Sequence, residues 1–284
     1  MTMREAGRVE EITSTANPRI KAIRALSMKK HREREGLFIA EGLKLAADAL
    51  EGGWTIRQLI RSKPADTDME LARRIDDIAA RSRAQGGDII LANAKVLSAI
   101  TRRDNAQTVV SVIEQKMAKL SDVKPHKDAL WVALDRVRDP GNLGTIIRAA
   151  DAFGASGIIL VGDCTDPFSM EAVRATMGSL FHVPIVTADV DAFQQFSDDW
   201  RGKGGNITGT HLEAATDHRS LDYASAPEIL LMGNEQQGLP AELVQSCSRL
   251  ALIAMNGQAD SLNLAVATGI MVFAARSHAL GPTK

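Results

Sequence analysis

The sequence predicts an α/β protein in two parts: a C-terminal parallel-sheet αβ domain over residues 129–284, preceded by a small α/β domain over residues 1–115. Three observations carry that expectation. After residue 128, short apolar runs of β character alternate with stretches of helical periodicity, the pattern of a parallel sheet with helices on both faces. Residues 116–128 are polar and contain Pro125, so they read as a linker between two apolar segments. Finally, three stretches put glycine or small polar residues where a β-like run meets a helix-like run, the place where open αβ sheets hold ligands.

In the first part, apolar residues over 20–26 and 42–50 recur at helical spacing, whereas 88–92 and 108–113 read as short strands. In the second part, strands are expected over 130–134, 157–161, 182–186, 206–210, 229–232 and 250–254. A helix is expected to run from an Asn142 cap to about Phe153. The last helix should begin at Ser261 as its cap and continue to His278, with Gly281-Pro282 as the stop.

A chain of 284 residues that is 45% hydrophobic can bury a real core. Its net charge of -1 excludes a whole-protein cationic field, so any nucleic-acid surface must be a local patch. Aromatic residues are only 4%, which argues against broad base-stacking platforms. Cys164 and Cys247 lie far apart, without a CxxC or paired histidines, and so suggest neither a disulfide scaffold nor a zinc site; no metal is expected. His211 and His218 read as ordinary surface or capping residues. The polar, acid-containing start lacks the marks of a signal or transit peptide, and no apolar run is long enough to span a membrane, so a cytoplasmic protein is expected.

The first of the three joints reads Asp139-Pro-Gly-Asn-Leu-Gly-Thr-Ile-Ile-Arg148. Gly144, one helical turn before Arg148, leaves room for the guanidinium to reach back toward the loop. On spacing alone, Asn142 is a cap and Arg148 a solvated residue as readily as a catalytic pair. The second joint, Met232-Gly-Asn-Glu-Gln-Gln-Gly-Leu239, has two glycines for close backbone approach and Glu235 as an anionic acceptor. The third, Asp260-Ser-Leu-Asn263, opens a long apolar helix, whose free amides can orient polar groups. No G-x-G-x-x-G follows the first strand of this domain, so the dinucleotide fingerprint is missing. The densest basic run, Arg19, Lys21, Arg24, Lys29, Lys30, Arg32 and Arg34, reads either as a solvated helix face or as a phosphate-contacting patch.

In order and wording, the three joints resemble the signature motifs of the SpoU/TrmH branch of the SPOUT RNA methyltransferases, and the basic run resembles the ribosomal-protein-like substrate-binding domain that precedes them. The resemblance implies a trefoil knot in the C-terminal domain, S-adenosyl-L-methionine as cofactor, RNA as partner and a homodimer. It implies catalytic roles for Asn142, Arg148, Glu235, Ser261 and Asn263, and cofactor contacts from Gly209, Gly233, Asn234, Glu235, Ile253, Met255 and Leu262. RNA contacts would fall to Arg19, Lys21, Arg24, Lys29, Lys30 and Arg32. Gln236 stands where the family usually has glycine, Ala254 where it often has proline, and Asp260 where it often has glutamate. The implied activity is 2′-O-ribose methylation of structured RNA, ribosomal RNA ahead of transfer RNA. Two other classes compete: a non-enzymatic RNA-binding or ribosome-assembly protein that kept the fold, and a nucleotide-binding αβ enzyme acting on small molecules.

Overall fold

The structure, a computed structural model, describes residues 5–63, 68–235 and 237–279. Gln236 and the expected Gly281-Pro282 stop lie outside the described residues. Along the chain the elements run β1 (Val9–Ile12), α1 (Pro18–Ala25), α2 (Lys29–Glu35), β2 (Leu37–Glu41), α3 (Leu43–Glu51), β3 (Ile56–Ser62), α4 (Met69–Ala84), β4 (Asp88–Ala92), α5 (Ala94–Thr101) and β5 (Val109–Glu114). They continue as β6 (Leu130–Asp135), α6 (Pro140–Ala152), β7 (Gly157–Val161), α7 (Met170–Thr176), β8 (Ile185–Ala188), α8 (Val190–Gly202), β9 (Asn206–Thr210), β10 (Glu228–Met232), α9 (Ala241–Val244), β11 (Arg249–Ala251) and α10 (Leu264–Arg276). No helix among the described residues is long and apolar enough to cross a membrane.

The chain divides into two compact units, and the division is not a single cut. Met1–Lys116 and Asp166–Phe181 form one unit; Met117–Thr165 and His182–Lys284 form the other. In the first unit, five strands in the order β1-β4-β3-β5-β2 make a mixed sheet, in which β5 runs antiparallel to both its neighbours. Ile20 and Ile23 of α1 and Val96 and Ile100 of α5 pack with Ile60 and Ile90 in its core. The inserted segment is bound into this unit by apolar and ionic contacts together. Phe168 and Phe181 join Phe38 and Trp54 in an aromatic cluster, Trp54 Nε1 donates to the Phe181 carbonyl at 3.0 Å, and Arg174 pairs with buried Glu41.

The second unit carries a six-stranded sheet in the order β11-β9-β10-β6-β7-β8, with every pair parallel. Its central strands β6 and β10 are buried at every position, as the apolar runs 130–134 and 229–232 require when helices cover both faces. Leu134 lies opposite Met232, so the two strands end at the same level and their following loops emerge side by side. From β6 the chain moves outward to β7 and β8, then returns on the other side to β9 and β10. The gap between the β6 and β10 ends is therefore a topological switch point, where αβ sheets bind ligands.

Several boundaries differ from the sequence reading, each for a local reason. Residues 117–128 are not a free linker: the Ala118 amide donates to the Ile185 carbonyl at 2.9 Å, and Val123 is buried in the second unit's core. The third strand of that unit begins at Ile185, directly after Pro184, which has no amide to give to a ladder. β11 stops at Ala251, so Ile253 and Met255 lie past the sheet.

Candidate active site

Three loops at the switch point are shaped by their own sequences. Asp139 Oδ1 accepts the Asn142 amide at 2.6 Å and Pro140 takes the first helical position of α6, so Asp139, not Asn142, is the cap. Asn142 consequently sits in the first turn with its side chain free for other work. At α10 the cap is Asn263 rather than Ser261: its Oδ1 accepts the amides of Ala265 and Val266 at 2.9 and 3.3 Å. In the loop after β10, Asn234 and Gly238 exchange backbone hydrogen bonds at 3.1 and 3.0 Å. A Cβ on Gly233 would stand 2.5 Å from the Gly238 carbonyl carbon, so this close approach demands glycine.

These loops bring one residue each into a hydrogen-bonded relay. Asn263 Nδ2 donates to Asn142 Oδ1 at 3.0 Å, and Asn142 Nδ2 donates to Glu235 Oε1 at 3.3 Å. Its direction is fixed from both ends. Capping commits the Asn263 oxygen to the helix and leaves only its NH2 to point outward, while the Glu235 carboxylate can only accept. Both asparagine amides therefore have one orientation that satisfies every partner.

Two cavities meet at this relay. The first, about 570 Å³, is polar and is lined by Arg136, Arg138, Asp139, Asn142, Asn234, Glu235, Gln237 and Asn263. The second, about 610 Å³, has walls from Met232, Leu252, Ile253, Met255, Leu262 and Leu264, with Ser261, Gly233 and His211 at its border. Asn234, Glu235 and Gln237 line both, so the loop after β10 is the partition between them. The second cavity is of the size that takes a drug-sized ligand, and its mix of apolar wall and few polar groups suits an adenosine with an amino-acid arm.

Of the residues the sequence proposed for the cofactor, Gly233, Asn234, Glu235, Ile253, Met255 and Leu262 line the second cavity. Gly209 does not: it is buried, and a Cβ there would stand 2.6 Å from Cys247 Sγ and 3.0 Å from Leu239 and Leu250, so close packing demands glycine at this position. Ser261 lies at the second cavity and outside the relay. Arg148 lines neither cavity; it is exposed on α6, without a hydrogen bond or ion pair among the described residues. His218 is buried rather than on the surface, and His211 borders the second cavity.

The basic run is also redistributed. Arg32 is 3% exposed; its Nε and Nη2 donate to Asp166 at 2.8 and 2.6 Å and its Nη1 to the Leu26 carbonyl at 2.9 Å. It cannot contact RNA without breaking the first unit, which removes it from the expected set. Arg19 is tied to Glu10 and Asp88. Lys29 has a loose pair with Glu33 at 3.8 Å, whereas Lys21, Arg24 and Lys30 are exposed with no carboxylate partner among the described residues. Arg102, missed in the sequence because it lies far from the run, joins this surface by donating from Nη2 to Ser27 Oγ at 2.7 Å. Arg136 and Arg138 of the polar cavity were missed too; their nearness to the first joint was the only signal.

A parallel αβ unit with paired cavities at its switch point defines a cofactor-dependent enzyme architecture. Comparison with known proteins makes this specific. The SpoU rRNA Methylase family matches residues 129–273, and the chain belongs to that family. Residues 17–111 match the MRM3-like substrate binding domain. The chain is 27% identical over 265 residues to the 23S rRNA (guanosine(2553)-2'-O)-methyltransferase RlmP of Bacillus subtilis (strain 168), covering 93% of this chain and 98% of that protein. It is 31% identical to the 23S rRNA (uridine(2479)-2'-O)-methyltransferase of Streptomyces viridochromogenes, covering 91% of this chain and 89% of that one. The solved structure of an AdoMet-bound rRNA methyltransferase from Sinorhizobium meliloti is similar at 52% identity with a TM-score of 0.89, covering 97% of this chain and 100% of that chain.

Proposed function

We propose that this protein transfers a methyl group from S-adenosyl-L-methionine to a ribose 2′-hydroxyl of ribosomal RNA. The observation that carries the reading is the relay Asn263–Asn142–Glu235, which draws one residue from each of three distant joints to the partition between a cofactor-sized cavity and a polar one. The cofactor's place is the second cavity, with Met232, Ile253, Met255 and Leu262 around the adenosine and the loop at Gly233 against its amino-acid arm. When bound, S-adenosyl-L-methionine supplies an electrophilic methyl on a sulfonium.

The protein's own task is to hold the ribose oxygen close and in line, which is worth several orders of magnitude in rate. Asn142 and Asn263 present fixed amides to the polar cavity, where they orient the ribose. Glu235 borders both cavities and anchors the relay on the cofactor side. An arginine does not serve as the base, because a guanidinium holds its proton too tightly to exchange it with a hydroxyl. Arg148 instead stabilises negative charge on the oxygen or grips a phosphate, and the proton leaves through phosphate or water.

Arg148 meets its target from outside the two cavities, which accords with a homodimer. Val266 and Phe273, two helical turns apart on α10, are 52% and 51% exposed and form an apolar strip next to α6. We assign that strip to the subunit interface, and we assign to the second unit the trefoil knot that family membership implies. Lys21, Arg24, Lys29, Lys30 and Arg102 of the first unit supply the RNA-binding surface. We assign its place of action to the cytoplasm, in keeping with a ribosomal RNA substrate.

The test is methyl transfer from labelled S-adenosyl-L-methionine to large-subunit rRNA, small-subunit rRNA and tRNA, each purified from cells lacking the protein. The expected result is one ribose-methylated position in large-subunit rRNA. Absence of transfer to every RNA, with cofactor bound, would leave a binding protein; transfer to tRNA alone would overturn the choice of substrate.

A further inference from the structure

Arg136, the residue after β6, has φ 44°, a left-handed conformation that side chains other than glycine, asparagine and aspartate rarely adopt. The surrounding structure holds it there. Its amide donates to the Val161 carbonyl at 2.9 Å, and its carbonyl accepts from Asn234 Nδ2 at 3.0 Å. Its stem crosses Gly162, where a Cβ would stand 3.1 Å from Arg136 Cγ. The guanidinium donates through Nε and Nη2 to the two oxygens of Asp135, both at 2.9 Å, and that carboxylate is 0% exposed. Hydrogen bonding to Asp135 raises the arginine's pKa further, so the cation is permanent.

Nη1 has no partner among the described residues, and the side chain borders the polar cavity with Asn142, Glu235 and Asn263. Arg138 borders the same cavity and is engaged only with the exposed Asp163 at 2.8 Å, a pair that solvent keeps weak. The two acids on this cavity each hold a neutral donor rather than Arg136 or Arg138: Asp139 Oδ1 caps α6, and Glu235 Oε1 accepts from Asn142. An aimed, locked guanidinium with one free N–H edge is the geometry that receives a phosphate oxygen.

We propose that Arg136, assisted by Arg138, forms a phosphate subsite in the polar cavity, gripping the phosphodiester beside the ribose to be methylated. This rests on the RNA methyltransferase reading given above. The competing explanation is that Arg136 only neutralises the buried Asp135. The two separate in the double variant Asp135→Asn/Arg136→Gly, which removes the buried charge together with its partner and places glycine where the left-handed backbone suits it.

The experiment measures kcat and KM for methylation of large-subunit rRNA from cells lacking the protein, across a salt series, with cofactor titration and circular dichroism as controls. The double variant should fold and bind S-adenosyl-L-methionine as the wild type does, while its KM for RNA rises on the order of tenfold or more, as for loss of a charge-assisted hydrogen bond. The log-log salt slope of RNA binding should fall by about 0.7 to 0.9, the value for one phosphate. Arg136→Lys should recover part of the salt slope and less of the KM. A double variant with wild-type KM and slope assigns Arg136 to Asp135 alone and overturns the subsite. If the wild type methylates no RNA, the functional reading fails first, which is a separate result. Should the double variant not fold, Arg138→Gln, which touches only an exposed pair, must still lower the slope or the subsite falls.

Discussion

Replacing Asn263 by aspartate separates the two jobs that its amide performs. The oxygen caps α10 through Ala265 and Val266, and the NH2 drives the relay through Asn142. Aspartate caps a helix as well as asparagine does, and its charge at the N-terminus adds about 0.3 to 1 kcal/mol. The outward atom, however, becomes an acceptor facing Asn142 Oδ1. If Asn142 turns its amide over to meet it, its oxygen is then aimed at Glu235 Oε1. One acceptor must face another in either arrangement. In both arrangements one bond to a carboxylate survives and the amide-to-amide bond is lost, which costs about 0.5 to 1.5 kcal/mol, roughly a twofold to tenfold loss of rate if the relay orients the reacting groups. In the folded protein the charge at the cap and the lost relay bond offset each other, so thermal unfolding of Asn263→Asp should stay within about 1 kcal/mol of wild type, cofactor affinity should stay within a few-fold, and single-turnover methyl transfer should drop by up to about one decade. Asn263→Ala should lose the rate and also about 1 kcal/mol of stability, because the cap goes with it. Wild-type turnover in the aspartate variant would refute the relay; equal destabilisation by both substitutions would refute the cap.

Charge reversal at Lys21, Arg24 and Lys30 should weaken RNA binding and lower its salt slope by about 0.7 to 0.9 for each phosphate that is no longer neutralised, with cofactor affinity unchanged. An unchanged slope would make these residues a solvated face, whereas reversal at Arg32 should instead destabilise the first unit, because it sets two like charges against each other at Asp166. Arg148→Lys should leave stability untouched, since Arg148 makes no hydrogen bond or ion pair among the described residues, and should slow single-turnover transfer on the order of a hundredfold. Near wild-type transfer would remove Arg148 from the chemistry. Burial pushes the Cys164 thiol up to about 11 and the Cys247 thiol up to about 12, so iodoacetamide at about pH 8 should alkylate Cys164 on the order of a hundredfold, and Cys247 on the order of a thousandfold, more slowly in the native protein than in urea. Equal rates would mean that the thiols are open to solvent.

The sheet of the second unit was legible because strands buried on both faces must be apolar throughout, and such runs stand out between helical segments. The three joints were legible as joints for the same reason. Which residue caps each helix was not, because Asp139 and Asn142, or Ser261 and Asn263, are all good cap types, and the backbone decides among them. Pro140 was the one available clue: proline favours the first helical position, which puts the cap at Asp139. Nothing local could reveal that Arg32 is spent on Asp166, or that Phe168 and Phe181 complete the first unit's aromatic cluster, since these partners are brought together only by the fold.

Arg148 shows where periodicity had more to say than the sequence reading took from it. A gap at Gly144 suggested that the guanidinium could fold back toward the joint. Asn142 and Arg148, however, are six residues apart on one helix, and at about 100° per residue they point roughly 120° away from each other. With Asn142 committed to Asn263 and Glu235, Arg148 is turned to a different side of α6, as its exposure and absence from both cavities record. Any part that it plays in catalysis must then be played on a ligand reaching α6 from outside the cavities. The apolar strip lies on α10, the helix that packs against α6, so a dimer built on it would bring a second subunit to the pair of helices that carries Arg148. A monomeric variant made by charging Val266 and Phe273 should consequently bind cofactor normally and lose turnover as severely as Arg148→Lys does; full activity in such a monomer would detach Arg148 from the interface.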